Sequence, residues 1–133
     1  MKKRILVIDD ERAVRDSFEL ALFDDNFEVR VAENGFKGVE LAREARPDLI
    51  FLDLKMPEID GIETMKRLLA NDPTLHIYIV TAFAREFIEP LQRVREQGAM
   101  FQLAAKPLTA GQIRAIARSI LDSTPEWNLP RRY

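Results

Sequence analysis

Asp48-Leu49-Ile50-Phe51-Leu52-Asp53-Leu54-Lys55-Met56-Pro57 is the stretch whose reading decides the fold. Four apolar residues in succession, bounded by acids, fit a strand buried on both faces, as in a parallel sheet covered by helices. The run is too short for a helix, and Pro47 and Pro57 close it at either end. Asp53 therefore stands where a buried strand emerges into a loop. Open α/β sheets bind ligands outside the carboxyl ends of their strands, so a carboxylate here is more informative than one on a helix surface.

Outward from this strand, strand-like and helix-like patterns alternate along the chain. Ile5-Leu6-Val7-Ile8 reads as a buried first strand. Asp10 is placed to cap a helix carrying Val14, Phe18, Ala21 and Leu22 at helical spacing. Asp24-Asp25-Asn26 ends that helix, and Glu28 to Ala32 alternates as a second strand of edge type. Asn34-Gly35 turns the chain into a helix with Phe36, Val39 and Ala42 on one face. After a loop through Gly61, the residues Ile62, Met65, Leu68 and Leu69 mark a third helix. Ile77 to Val80 is a fourth strand, ending at Thr81-Ala82. Phe87, Leu91 and Val94 line a fourth helix reaching about Gln97, with Gly98 as its stop. Pro90 either lies in its first turn or distorts it. Of Phe83, Phe87 and Leu91, at least two are expected in the core.

Met100 to Ala105 reads as the fifth strand, ending at Lys106-Pro107. Thr109 and Gln112 form a capping box, Leu108 and Ile113 a hydrophobic staple, and Ile113, Ile116, Ala117 and Ile120 face the core. Five βα units with short connections predict an α/β fold, a doubly wound five-stranded parallel sheet with right-handed crossovers. Residues 1–122 form this domain. Residues 123–133 carry no periodicity and read as a docked extension or the start of a linker.

A chain of 133 residues is long enough to bury a real core without staples, and 47% apolar with 32% charged residues is the balance of a soluble globular domain. The absence of cysteine removes disulfides, thiolate zinc sites and thiol nucleophiles. The apolar run after Met1-Lys2-Lys3-Arg4 is too short for a signal peptide or a membrane span, which points to the cytoplasm. A net charge of −2 and a pI near 5.5 argue against direct nucleic-acid binding by this domain.

The chemically notable residues all fall at strand ends on one side: Asp9 and Asp10, Asp53, Thr81 and Lys106. Carboxylates gathered at one rim repel one another unless a cation joins them, and carboxylates with room for water suit Mg²⁺. A carboxylate can also serve as the nucleophile that carries a phosphoryl group, with a cation and a lysine neutralising the transferred charge. Taken singly, each residue has a plain alternative: Asp10 as a helix cap, Lys106 as a solvated strand end, Thr81 as a β-branched strand residue. Their shared rim is what gives the set weight.

The chain resembles the receiver domains of bacterial two-component response regulators, related to the chemotaxis CheY type, over about residues 3 to 122. The matching residues are Asp9-Asp10, Asp53, Met56-Pro57, Asp60-Gly61, Thr81-Ala82, Gly98-Ala99 and Lys106-Pro107, all in order. The resemblance implies a flavodoxin-like sheet of strand order 2-1-3-4-5. It implies that Asp53 is the phosphoacceptor, phosphorylated by a sensor histidine kinase or phosphotransfer protein. Asp10, Asp53 and the backbone carbonyl of Lys55 would hold Mg²⁺, with Asp9 reaching it through water. Lys106 would pair with the phosphoryl group, and Thr81 would move toward it and switch the face of the fourth helix, fifth strand and fifth helix. A downstream effector protein or domain would read that face, or a phosphorylation-dependent homodimer would form through it. Such a domain supports its own phosphorylation and slow dephosphorylation without being a conventional enzyme.

The sequence departs from the pattern on that same face. Many receivers carry Tyr or Phe three residues before the lysine, where this chain has Leu103. Phe101 lies five before Lys106, and the run from Gly98 to Lys106 is one residue longer than usual, so a bulge would restore Phe101 to the switch position. Otherwise Leu103 occupies it or the switch lacks an aromatic. The segment from Thr81 to Gly98 is also about two residues longer than the pattern and contains Pro90. These departures support a rival reading, a phosphorylation-independent pseudo-receiver acting as an interaction module; the complete set Asp10, Asp53, Thr81 and Lys106 opposes it. A Mg²⁺-dependent phosphohydrolase would need a second carboxylate two residues after Asp53, where Lys55 stands. In the family Lys55 sits where a side chain modulates the lifetime of the phosphoryl group. His76 has no second histidine or cysteine to share a metal and reads as a surface residue.

Overall fold

The side chains of β3, Leu49–Leu52, are divided between two cores, and this division accounts for the unbroken apolar run. Leu49 and Phe51 point to one face of the sheet with Ile5 and Val7, where they meet Phe18, Ala21, Ile113 and Ala117. Ile50 and Leu52 point to the other with Leu6 and Ile8, against Val39, Ile62, Met65, Leu91 and Val94. A strand covered on both faces has no side on which a polar residue is tolerated. Phe51 anchors its side by ring contacts to Phe18 at 4.9 Å and Tyr78 at 5.9 Å.

The computed structural model describes residues 2–24 and 26–122. In chain order the elements are β1 (Lys3–Ile8), α1 (Arg12–Ala21), β2 (Phe27–Ala32), α2 (Gly35–Glu44), β3, α3 (Gly61–Asn71) and β4 (Ile77–Thr81). A 3₁₀ turn over Ala84–Phe87 then runs into α4 (Ile88–Glu96), followed by β5 (Gln102–Ala105) and α5 (Ala110–Leu121). All strand pairs are parallel and the sheet order is β2-β1-β3-β4-β5. Helices α1 and α5 cover one face, α2, α3 and α4 the other. The doubly wound fold and its strand order are as expected, with β2 at an edge. The segment 123–133, read as an extension or linker, lies outside the described residues.

Local sequence explains most of the boundaries. Asn34 and Asp60 cap α2 and α3, their side-chain oxygens accepting from the N–H of Lys37 at 2.8 Å and Glu63 at 2.9 Å. Thr109 and Gln112 form the capping box of α5, and Leu108 joins Ile113 in the same core cluster. Pro90 is the third residue of α4, in the first turn, where its missing N–H leaves no intrahelical bond unmade. Gly98, at φ +100°, stops α4: its N–H reaches the Arg95 carbonyl and that of Ala99 the Val94 carbonyl, both at 3.0 Å. Leu91 is buried and Phe87 packs beside it, while Phe83 is exposed, so two of those three enter the core.

Three local expectations need correction. Asp10 does not cap α1: Glu11 is the N-cap, with no side-chain bond, and the Glu11 N–H is taken at 2.9 Å by Asp9, the acid nearer the strand. Phe36 is exposed, with the Arg67 guanidinium 5.0 Å above its ring, because Gly35 and Gly38 bring α2 too close to Thr64 and Ile8 for an aromatic to pass beneath. Strand β5 begins at Gln102 and not at Met100, since the chain is still leaving the Gly98 turn and meets its partner only at Tyr78.

Gly61 is required by packing. A Cβ there would lie 2.2 Å from the Asp53 carbonyl oxygen and 2.7 Å from Leu54 Cα, both backbone atoms that cannot swing aside. Its N–H also bonds the Leu54 carbonyl at 2.7 Å, so the start of α3 is laid directly on the end of β3. We expect Gly61→Ala to destabilise the fold by at least about 2 kcal/mol, read as a lowered urea midpoint at unchanged slope.

Candidate functional site

The hydrogen-bond ladder runs one residue past the strands, and this brings the notable side chains together. Ile8 pairs with Leu52, and the next residue of β3 continues the pattern, with Asp53 N–H donating to the Ile8 carbonyl at 3.0 Å. Asp9 N–H donates to the Ala32 carbonyl at 3.1 Å and Lys106 N–H to the Thr81 carbonyl at 3.1 Å. Asp9, Asp53, Thr81 and Lys106 thus project from adjacent strand ends. Asp9, Asp53 and Thr81 are buried, Lys106 is mostly covered, and Asp10 is exposed at the mouth.

One carboxylate oxygen from each of Asp9, Asp10 and Asp53 lies within 4.8 Å of the others. Lys106 Nζ stands among them, 2.7 Å from Asp9 Oδ2 and 3.4 Å from Asp53 Oδ2. The other oxygen of Asp53 accepts from Leu54 N–H at 2.8 Å. Burial pushes the Asp53 carboxyl above the usual carboxylate range, and the Asp9 charge pushes it further. Lys106, the Thr81 hydroxyl and the Leu54 N–H pull it back without cancelling the rise. For Lys106, burial works toward a lower pKa, but the hydrogen bond to Asp9 and the charges of Asp53 and Asp9 outweigh it and the ammonium is held above its ordinary value. One cation thus faces several anions, and the site carries excess negative charge. Hard oxygen donors, that uncompensated charge and a solvent-facing Asp10 fit a small divalent cation that keeps part of its water shell.

The sequence profile of the response regulator receiver domain matches residues 5–118. The chain belongs to that family. Among relatives of this receiver, sporulation initiation phosphotransferase F of Bacillus subtilis (strain 168) is 31% identical over 121 residues, covering 91% of this chain and 95% of that protein. Response regulator MprA of Mycobacterium sp. (strain KMS) is 34% identical over 124 residues, 93% of this chain. The receiver spans only 53% of MprA, which is about twice as long. A solved CheY-like receiver from Methanospirillum hungatei JF-1 matches with a TM-score of 0.81 at 25% identity, covering 92% of this chain and 95% of its own. Among the described residues no helix is long and apolar enough to cross a membrane.

Of the supporting residues, Arg15 was not singled out in the sequence, while Phe83 and Lys55 were read there in other roles. Arg15, on the second turn of α1, donates from Nη1 to the Asp9 carbonyl at 2.9 Å and braces the strand end. The Phe83 N–H donates to Thr81 Oγ1 at 3.1 Å, tying the hydroxyl to the 3₁₀ turn before α4. Lys55 bridges two loops, its ammonium 3.2 Å from Glu86 and 4.3 Å from the Phe83 ring centre. The Arg15 and Lys55 contacts have no sequence signature, because each joins residues on different elements, whereas the Thr81–Phe83 bond is a local turn contact two residues apart. His76 is exposed as expected, its Nε2 2.6 Å from Gln102 Oε1.

The register of β4 with β5 is unbroken from Tyr78↔Gln102 to Thr81↔Ala105. No bulge lifts Phe101 into the strand: the ring stays half-buried against α4 with the Arg95 guanidinium 4.2 Å away. Leu103, opposite Ile79 and 43% exposed, occupies the place three before Lys106.

Removing the Asp53 charge relieves part of the excess. We expect Asp53→Asn to stabilise the metal-free protein by about 1 kcal/mol at pH 7. The raised folded-state pKa means that the native parent binds more protons than the unfolded chain between about 3.9 and that pKa, so its stability falls as pH rises through this window. The advantage of Asp53→Asn should therefore be fullest above the window and fade as pH drops to about 4, measured by urea unfolding in EDTA.

Proposed function

We propose that this receiver is phosphorylated on Asp53 by a sensor histidine kinase or phosphotransfer protein and switches its α4-β5-α5 face in response. The observation that carries the reading is the buried Asp53 carboxylate with Lys106 Nζ at 3.4 Å and the Asp9 and Asp10 carboxylates beside it. An Asp53 oxygen attacks the phosphorus of a phosphohistidine, the P–N bond breaks, and the imidazole leaves with the bonding electron pair. Chemistry of this kind asks the protein for position and charge neutralisation more than for a proton acceptor. Lys106, already aimed at the site, meets a phosphoryl oxygen. Leu54 N–H fixes the Asp53 carboxylate against rotation.

Asp10, Asp53 and the backbone carbonyl of Lys55 would hold Mg²⁺, with Asp9 through water. Bound there, it would neutralise charge on the transferring phosphoryl group. Dephosphorylation by an in-line water needs no protein base, consistent with a signalling domain and not a conventional enzyme.

The output runs through Thr81. Its hydroxyl turns toward a phosphoryl oxygen, which changes the bond it receives from Phe83 N–H and so reaches the 3₁₀ turn and α4. Leu103, not Phe101, lies along the strand next to this event, so the switch works with an aliphatic side chain while Phe101 stays packed on α4. A downstream effector protein or domain, or a second copy in a phosphorylation-dependent homodimer, reads that face. We take residues 1–122 as the receiver and 123–133 as a tail or linker, and place the domain in the cytoplasm with no direct nucleic-acid or membrane binding.

Incubation with acetyl phosphate and Mg²⁺ should add one phosphoryl mass to the protein, seen by intact-mass spectrometry and absent with EDTA or in Asp53→Asn. No adduct from either acetyl phosphate or a phosphorylated histidine donor would sink the reading and favour a pseudo-receiver. Lys106→Ala should still accept the group but lose most of the phosphorylation-dependent gain in partner binding. An equal gain in mutant and parent would remove Lys106 from the switch.

A further inference from the structure

Asp10 is the least secured member of the acidic set. It is exposed and lies one residue beyond Asp9, whose N–H makes the last ladder bond to the Ala32 carbonyl. Among the described residues no hydrogen bond or ion pair involves its carboxylate. Even so, one of its oxygens stands within 4.8 Å of an oxygen of Asp9 and of Asp53. What aims it is therefore the backbone. Peptide units are planar, so holding one atom of a unit fixes the direction of the next Cα. In the unit before Asp10, the Asp9 carbonyl accepts from Arg15 Nη1 at 2.9 Å. In the unit after it, the Glu11 N–H donates to Asp9 Oδ1 at 2.9 Å. Arg15 N–H in turn donates to the Glu11 carbonyl at 3.1 Å, which closes a loop of contacts around Asp10.

Arg15 is the one side chain from outside the acidic set and Lys106 that holds this turn. It is half-buried, and among the described residues its guanidinium pairs with no carboxylate, whereas the neighbouring exposed Arg12 pairs with Asp16 at 3.7 Å. A guanidinium ordinarily prefers a carboxylate to a neutral carbonyl. Here it is spent on the carbonyl of the peptide that leads into Asp10. The remaining polar atoms of Asp9 are already engaged, Oδ2 by Lys106 at 2.7 Å and Oδ1 by the Glu11 N–H. With Arg15 on its carbonyl, Asp9 becomes a fixed platform from which Asp10 projects.

We infer that Arg15 is a positioning residue for the metal site: its bond to the Asp9 carbonyl sets the Asp9–Asp10 peptide so that the Asp10 carboxylate faces Asp53. The inference rests on the reading above, in which Asp10 is a ligand of Mg²⁺. Arg15 acts through Asp10 and is not itself a ligand. Its charge alone would have the opposite effect, since a cation near the site repels Mg²⁺. Removing a mere nearby charge tightens Mg²⁺ binding; removing a positioning contact weakens it.

The test is the Kd for Mg²⁺ of the full, unphosphorylated chain, from amide chemical shifts as Mg²⁺ is titrated into metal-free protein. Arg15→Met keeps an apolar stem over the half-buried position, and Arg15→Gln is a second neutral variant. Both should keep the parent's circular dichroism and bind Mg²⁺ about tenfold more weakly, the low end of what losing an outer-shell contact costs a metal site. Arg12→Met removes the same charge from the same turn of α1 without touching Asp9, and should leave the Kd as it is or tighten it. An unchanged or tighter Kd in both Arg15 variants would overturn the inference, and so would equal weakening by Arg12→Met. A parent that binds no Mg²⁺ would overturn the metal reading and this inference with it, whereas a parent that binds beside unaffected Arg15 variants overturns the inference alone.

Discussion

Negative charge held against burial is the constraint on which this molecule is built. Asp9 and Asp53 are both buried, at 3% and 2% exposure, and Lys106 is the ammonium that reaches both. Carboxylates so placed favour protonation or a cation, and the raised Asp53 pKa expresses that demand. A site left electrostatically incomplete is one that an arriving ion or a charged group can complete, at a place where the change in charge is felt by neighbouring strands.

The fold serves this constraint through parallel register. Since β1, β3, β4 and β5 all run in one direction, their carboxyl ends share a rim, and residues at the end of each strand or one step past it become neighbours although they are far apart in sequence. The two cores on either side of β3 make the rim rigid. Gly61 then brings α3 against the carbonyl of Asp53, so the loop around the acid has little room to rearrange. The more adaptable connection lies on the Thr81 side, where Phe83, Glu86 and Lys55 link two loops through exposed contacts.

Much of this was legible from residue order alone. The buried run before Asp53, the caps at Thr109 and Asn34 and the stop at Gly98 are local signals whose physics acts within a few residues. Asp10 shows the limit: an acid before a helix looks like a cap, yet Asp9 takes the N–H because its strand end is pinned by the ladder and by Arg15. Phe36 shows another, since helical spacing put it on the apolar face while Gly38 had already drawn α2 against Ile8 of the sheet and Gly35 had drawn it against Thr64 of α3. Whether Phe101 or Leu103 enters the strand depended on where the spare residue between Gly98 and Lys106 is absorbed. It is absorbed before β5, where pairing with Tyr78 starts only at Gln102.

The most direct test of the incomplete site is the thermal stability of the protein as Mg²⁺ is titrated. A cation bound by the folded state alone stabilises it by RT ln(1 + [Mg²⁺]/Kd), about 2.7 kcal/mol at a hundred times Kd. The melting temperature should climb with the logarithm of Mg²⁺ once Kd is passed, and the climb should vanish in Asp10→Asn. A melting temperature indifferent to millimolar Mg²⁺, or a rise that survives Asp10→Asn unchanged, would contradict the account.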